Sequence, residues 1–367
     1  MTTIPDRLLL GSGPSPVPRR VLDALAQPTI GHLDPAFGEL MEGTKAKLRE
    51  VFGTANEVTL PLSGTGSVGM EAMVVNFVRP GDRVVCGVHG LFGERMADEL
   101  KRNGADVVRV EAEWGRAIDP SQLIEALDEQ TAALFVVHAE TSTGVRQPLD
   151  GLAAACRDAD ALLMVDCVTS LGGVEVGVDA HGIDVAFSGT QKCLNAPPGL
   201  APFTASERAL ERLEPGSCRS WYLDLTLLLG YWSEPDPTHP ARSYHHTAPI
   251  NLVYALDAAL DLVLEEGLEA RWARHLDAHE RLLRELEPLG FARLAPEGEQ
   301  LASLLCVTVP DGIDEAAVRR SLLVDHGVEV SGGLGPLAGQ VWRIGVMGEG
   351  ARPEAQQRLL DALAVAL

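Results

Sequence analysis

Lys192 follows an apolar run, Val185-Ala186-Phe187, through the small residues of Ser188-Gly189-Thr190-Gln191, and Asp166 closes an earlier apolar run from Ala161 to Val165. One strand that delivers an amine and a second that delivers a carboxylate suit a particular cofactor. The amine can form a Schiff base with an aldehyde. The carboxylate can keep a pyridine nitrogen protonated, so that the ring accepts electrons from a substrate carbanion. The pair predicts pyridoxal phosphate.

A third feature requires the same cofactor. Pro61-Leu62-Ser63-Gly64-Thr65-Gly66-Ser67-Val68-Gly69 follows a predicted strand and opens an amphipathic helix. Its small residues leave backbone N–H groups and the positive end of a helix dipole free to cradle a phosphate. Residues 64–69 also fit G-x-G-x-x-G, the dinucleotide-binding fingerprint. That reading needs an acidic residue after the next strand to bind a ribose, and Gly87-Val88-His89 supplies none. It also leaves Asp166 and Lys192 without a role. Taken singly, Asp166 could be a helix cap or strand end and Lys192 a surface lysine. Taken with the loop, they converge on one cofactor.

Arg343 lies in Val341-Trp342-Arg343-Ile344-Gly345-Val346, an apolar strand in which a guanidinium must find an anion. A substrate carboxylate or a structural ion pair would serve equally. Tyr244-His245-His246-Thr247 is not read as a metal site, because adjacent side chains converge poorly on one ion and no other ligand cluster accompanies them.

The elements that must position these residues follow from the apolar pattern. Short β-rich runs alternate with helical stretches from Glu57 to about Ser206: Val58-Leu62, Val84-Val88, Val107-Val110, Ala133-Val137, Leu162-Val165, Val185-Phe187 and Leu200-Thr204. Such alternation predicts a mostly parallel sheet covered by helices, with functional groups at the carboxyl ends of strands. An irregular stretch from Pro215 to Pro249 follows, then a long helical region from Asn251 to about Leu289. The tail carries runs at Leu304-Val309, Val328-Val330 and Val341-Val346, with helices near Glu315-His326 and from Pro353. The expected fold is α/β: a large domain over residues 1–265, including an N-terminal active-site loop, and a smaller C-terminal α+β domain over 266–367. A chain of 367 residues exceeds what one hydrophobic core usually supports, which agrees with two bodies.

A net charge of −22 argues against nucleic acid or an anionic membrane as partner. No apolar run is long enough to span a bilayer. The six cysteines form no CxxC pair and no signal-like region follows the N-terminus, so a cytoplasmic location is expected. Cys193, beside Lys192, reads as a small apolar residue packed near the site.

With these residues in hand, the chain resembles the class V aminotransferases of fold type I, in particular the alanine–glyoxylate and serine–pyruvate aminotransferase family. The resemblance runs through Gly11-Ser12-Gly13-Pro14-Ser15, Ser142-Thr143-Gly144-Val145, Gln147-Pro148-Leu149-Asp150-Gly151, Ser170-Leu171-Gly172-Gly173, Leu194-Asn195-Ala196-Pro197-Pro198-Gly199, Tyr244-His245-His246-Thr247 and Gly332-Gly333-Leu334-Gly335-Pro336. It implies that Lys192 is the Schiff-base lysine and Asp166 the partner of the ring nitrogen. Thr65, Gly66, Ser67 and Gln191 would bind the cofactor phosphate, and Thr141 would lie near the ring hydroxyl. Arg343 would bind the substrate carboxylate, with Gly13 also at the substrate. Tyr244 and Thr247 would reach the phosphate of a partner subunit, which implies a homodimer with shared sites.

Two positions depart from the family pattern. Phe92 stands where Trp often covers the ring, and Ser67 where His often lies beside the phosphate. Phe92 can still stack on a ring face. The resemblance implies ping-pong transamination from a small amino acid of alanine or serine type to glyoxylate or pyruvate. Ureidoglycine and aminoethylphosphonate stay open as donors. A lyase of the cysteine desulfurase kind is the alternative, although those enzymes usually carry His before the lysine, where this chain has Gln191.

Overall fold

The structure, a computed structural model, describes residues 4–233 and 242–367. The chain begins with a short strand, β1 (Leu8–Leu9), and two helices, α1 (Arg19–Leu25) and α2 (Pro35–Phe52). Asp34 caps α2 by accepting from Ala36 N, Pro35 occupies its first turn, and Gly53 ends it in the left-handed region. Strands and helices then alternate: β2 (Val58–Ser63), α3 (Gly66–Phe77), β3 (Arg83–Val88), α4 (Leu91–Arg102), β4 (Asp106–Glu111), α5 (Pro120–Glu125) and β5 (Thr131–Val137). A small hairpin, β6 (Ala139–Glu140) with β7 (Val145–Arg146), precedes α6 (Leu152–Asp158), β8 (Leu162–Asp166), β9 (Val185–Phe187) and β10 (Leu200–Ala205).

These seven longer strands form one sheet in the order β2-β10-β9-β8-β5-β3-β4. Strand β10 runs antiparallel to both β2 and β9, whereas the remaining pairs are parallel. Two reversals cancel, so β2 points the same way as β9. The carboxyl ends of β2, β3, β5, β8 and β9 therefore open along one edge of the sheet, where α/β folds place their ligands. The central strands are buried on both faces, which is why they read as continuous apolar runs. One core, extending from Phe37 to Val263, surrounds this sheet.

Helices α7 (Glu207–Leu210) and α8 (Leu225–Trp232) follow, and residues 234–241 of the irregular stretch lie outside the described residues. The helical region expected as one piece is two helices, α9 (Ile250–Glu266) and α10 (Leu268–Leu286), with a 3-10 turn at Glu287–Leu289. Gly267, at φ +83, breaks it. The tail contains β11 (Ala292–Arg293), β12 (Leu304–Thr308), α11 (Glu315–Val324), β13 (Val328–Glu329), β14 (Ser331–Gly332), β15 (Val341–Gly345) and α12 (Pro353–Ala366). Its antiparallel sheet, in the order β11-β12-β15-β14, packs a second core that includes Leu282, Phe291, Leu305, Trp342 and Leu359.

The N-terminal segment belongs to this second core. Leu10 is part of it, β1 pairs in parallel with β13, and Gly345 N donates to Leu10 O at 2.8 Å. From there residues 11–15 cross to Lys192: Ser15 N donates to Gln191 O at 2.8 Å and Ser15 Oγ to Lys192 O at 2.6 Å. No helix among the described residues is long and apolar enough to cross a membrane.

Candidate active site

Strand β8 ends in Asp166 and is registered so that Asp166 faces Phe187 of β9; five residues beyond Phe187 the chain reaches Lys192. Both groups line a cavity of about 130 Å³ at the carboxyl edge, together with Thr65, Gly66, Ser67, Met70, Phe92, Arg95, Val168, Phe187 and Gln191. Other cavities of about 250 to 530 Å³ are larger, but none is lined by a buried amine or carboxylate of this sheet edge. Chemistry, and not size, selects the smaller one.

Lys192 is 8 % exposed, and its Nζ donates to Ser12 O. Burial pushes the amine down to about 8, with Arg343 adding to the effect and Asp166 and Glu140 opposing it. Gly13, at φ +104, lies so close that a Cβ there would sit 2.7 Å from Nζ. Only glycine fits that backbone and that space. Asp166 is almost fully buried, and Oδ1 accepts from Val168 N at 2.8 Å. Burial pushes its carboxyl up to about 7, the Val168 amide opposes, and the buried Glu140 adds to the rise. A cation at the cavity would stabilise the carboxylate; a protonated pyridine nitrogen is such a group.

The β2–α3 turn supplies the anion side. Thr65 precedes α3 without a side-chain cap, so the Gly66 and Ser67 amides of this 12-residue helix are open to an anion, while Val68 N donates to Thr65 O at 2.8 Å. Ser67 Oγ accepts from an Arg95 nitrogen at 3.3 Å, and the same guanidinium lies 4.9 Å from the centroid of the Phe92 ring. Gln191 Oε1 is buried without a hydrogen-bond partner and is the orphaned polar atom of the cavity. An aromatic wall, a buried amine, a buried acid and an uncapped helix start fit a phosphorylated pyridine aldehyde.

Other residues expected at the site stand outside the cavity lining. Arg343, 6 % exposed, donates from Nε to Gly332 O at 2.8 Å and from a terminal nitrogen to Thr141 O at 3.3 Å. Among the described residues no carboxylate lies within ion-pair distance of it, so the structural ion pair is not formed. Thr141 is buried and shares a hydrogen bond with Thr169, Oγ1 to Oγ1, at 3.0 Å. Tyr244 and Thr247 are exposed, Tyr244 stacking obliquely on His32 at 5.3 Å. Between them His246 Nε2 contacts Ser63 Oγ at 2.6 Å and His246 Nδ1 contacts His245 Nδ1 at 2.8 Å. Burial pushes the Cys193 thiol up to about 11, which leaves it a poor nucleophile.

Two residues that shape this site escaped the sequence reading. Arg95 stands three residues after Phe92 on α4, so the two share a helix face. Glu140, fully buried, follows an apolar run just as Asp166 does. In each the signal was present in the spacing.

Comparison with known proteins agrees with this geometry. The family described as Aminotransferase class-V matches residues 7–341. The chain is 38% identical to the (S)-ureidoglycine–glyoxylate transaminase of Bacillus subtilis, covering 95% of this chain and 88% of the relative. It is also 38% identical to the alanine–glyoxylate aminotransferase of Mus musculus, over 100% of this chain and 88% of the relative. Among solved structures, the alanine–glyoxylate aminotransferase from Nostoc sp. is 47% identical and superposes with a TM-score of 0.95 over 100% of this chain and 96% of that one. With a mostly parallel sheet, a buried lysine and aspartate at its carboxyl edge and a family match over nearly the whole length, the chain belongs to the class V aminotransferases, transaminases of fold type I that depend on pyridoxal phosphate.

Proposed function

We propose that the enzyme moves the amino group of a small amino acid, alanine or serine in type, to glyoxylate or pyruvate in two half-reactions at one site. The observation that carries this reading is a buried arginine, Arg343, that has no carboxylate at ion-pair distance among the described residues and whose charge is felt at Lys192. It fits the single α-carboxylate that amino and oxo acids share. The names of the relatives supply glyoxylate as acceptor.

Pyridoxal phosphate supplies an aldehyde carbon that takes up amines and a ring that accepts the electron pair released from the substrate Cα. The remaining work falls to the protein. Lys192 would anchor the cofactor through its amine, and as a free base its Nζ would take the proton from the substrate Cα and pass it to the cofactor carbon that carries the amino group. An amine near 8 serves both directions of that transfer better than an ordinary lysine. Asp166 would hold a proton on the ring nitrogen, electrostatic preorganisation at the point where charge develops. Phe92 would cover one ring face, and the resemblance puts Thr141 toward the ring hydroxyl. Thr65, Gly66, Ser67 and Gln191 would hold the phosphate, and the absence of a side chain at Gly13 would leave room for substrate beside Lys192.

The site is completed by a second copy of the chain. Tyr244 is 64% exposed and Thr247 is exposed as well; by the resemblance these two would reach the phosphate at a neighbour's site. Six free thiols fit a reducing cytoplasm. A desulfurase reading is disfavoured, since five of the six cysteines are buried. Ureidoglycine is the second donor to weigh, because the Bacillus relative carries it in its name.

Alanine with glyoxylate should yield pyruvate and glycine in a coupled assay. Absence of product with alanine, serine and ureidoglycine, despite bound cofactor, removes the transaminase assignment of donor and acceptor. Arg343→Ala should raise KM for both carboxylated substrates roughly 10- to 100-fold, the worth of a charge-assisted hydrogen bond, while cofactor absorbance is retained. Equal loss of both would make the residue structural.

The Lys192 amine must be neutral to attack an aldehyde, so uptake of pyridoxal phosphate by the apoprotein should climb with pH, reach half its plateau near 8 and level off. The folded state holds this proton less tightly than the unfolded chain, so the same group makes apoprotein stability rise between about 8 and the ordinary 10.5. Stopped-flow absorbance with its midpoint above pH 10 would instead show a solvated amine. Sedimentation should give twice the 39.1 kDa chain mass; a fully active single chain excludes shared sites.

A further inference from the structure

Helix α4 begins at Gly90 with no side-chain cap of its own. Its first amides are instead bound by a residue from across the sheet edge. Glu140 Oε2 accepts from Phe92 N at 3.0 Å and from Gly93 N at 3.4 Å. Glu140 Oε1 accepts from Ser142 N at 3.0 Å and from Ser142 Oγ at 2.6 Å. Ser142 Oγ in turn accepts from Leu91 N at 2.9 Å. Three consecutive amides of the helix start are thus held by a carboxylate and a hydroxyl two residues apart. The approach is so close that a Cβ on Gly90 would sit 2.4 Å from Glu140 Cγ and 2.5 Å from Ser142 Oγ.

A helix cap can be made by an exposed Asp or Ser at little cost. Here the cap is a fully buried carboxylate with no cation within ion-pair distance among the described residues. Four donors and the positive end of α4 must hold its charge. Such a group is expensive to bury, and its position explains the expense. The helix start it grips carries Phe92, and the residue after it, Thr141, gives its carbonyl oxygen to the Arg343 guanidinium at 3.3 Å. Its charge also bears on the buried Lys192, Asp166 and Arg343.

We propose that Glu140 is a positioning residue for the transamination, a buried clamp that sets Phe92 against the cofactor ring and, through the main chain of Thr141, sets Arg343 for the substrate carboxylate. The proposal rests on the roles given above to Phe92 and Arg343. It adds a residue that touches neither cofactor nor substrate.

The test uses the holoenzyme of Glu140→Gln. The amide cannot accept from both Ser142 donors with the atom that becomes NH2, so the clamp loosens while the side-chain shape is kept. Cofactor absorbance should be retained, the visible circular dichroism of the bound cofactor should shrink or change sign, and KM for both amino donor and oxo acid should rise roughly tenfold through misplacement of the guanidinium. Unchanged dichroism or unchanged KM overturns the proposal. Phe92→Ala separates it from the reading beneath: if Phe92→Ala alters the dichroism and Glu140→Gln does not, the clamp is wrong and the aromatic wall stands. If Phe92→Ala leaves the dichroism unaltered, both are overturned. Should Glu140→Gln fail to accumulate, Ser142→Ala removes the hydroxyl bridge to Leu91 and leaves the carboxylate; a smaller change of the same kind is expected, and none overturns the clamp.

Discussion

The structure depends on keeping one amine out of water. A lysine in solvent is charged at neutral pH and attacks nothing, whereas Lys192, walled by the sheet edge and by the crossing segment from residue 11 to residue 15, gives up its proton far more readily. Every neighbour respects that condition. Gly13 has no side chain because one would strike the amine, and Ser15 fixes the main chain of the lysine from above while β9 delivers it from below. Burial alone would make a lysine merely inert. The nearby acids keep it basic enough to hold a proton part of the time.

The same edge assembles groups that cannot sit within the sheet. A carboxylate or amine inside a central strand of the large sheet would find no partners, so Asp166, Glu140 and Lys192 all lie where a strand stops and the crevice begins. Charge there is balanced in alternation. The acid at 166 is left wanting a cation, the guanidinium at 343 is left wanting an anion, and on the proposed reading each demand would match a different part of a cofactor carrying an amino acid. Affinity and geometry come from the same incomplete pairing.

Much of this was legible in the residues, and the exceptions have physical causes. All seven apolar runs between Val58 and Thr204 became strands of one sheet, the central ones continuous because strands buried on both faces need apolar sequence, and β4, at the edge, half-exposed. Direction was not legible: Leu200–Ala205 is as apolar as its neighbours, yet it alone runs against them. The break at Gly267 was read through, since helical pattern continues on both sides. Leu8–Leu9 is too short to announce itself, and its partner stands over three hundred residues away. At the site, Lys192, Asp166, Thr65, Gly66, Ser67, Phe92 and Gln191 converge on one cavity, whereas Arg95 resembled any helix-surface arginine and Glu140 closes a strand of only two residues.

The pairing of β1 with β13 has a further consequence. Residues 8–10 find their place only against strands that lie more than three hundred residues further along the chain. The segment from residue 11 to residue 15, which crosses to Lys192, is therefore held at one end by β13 and β15 and at the other by the loop that carries the lysine. Covering of the amine is thereby coupled to formation of the smaller sheet.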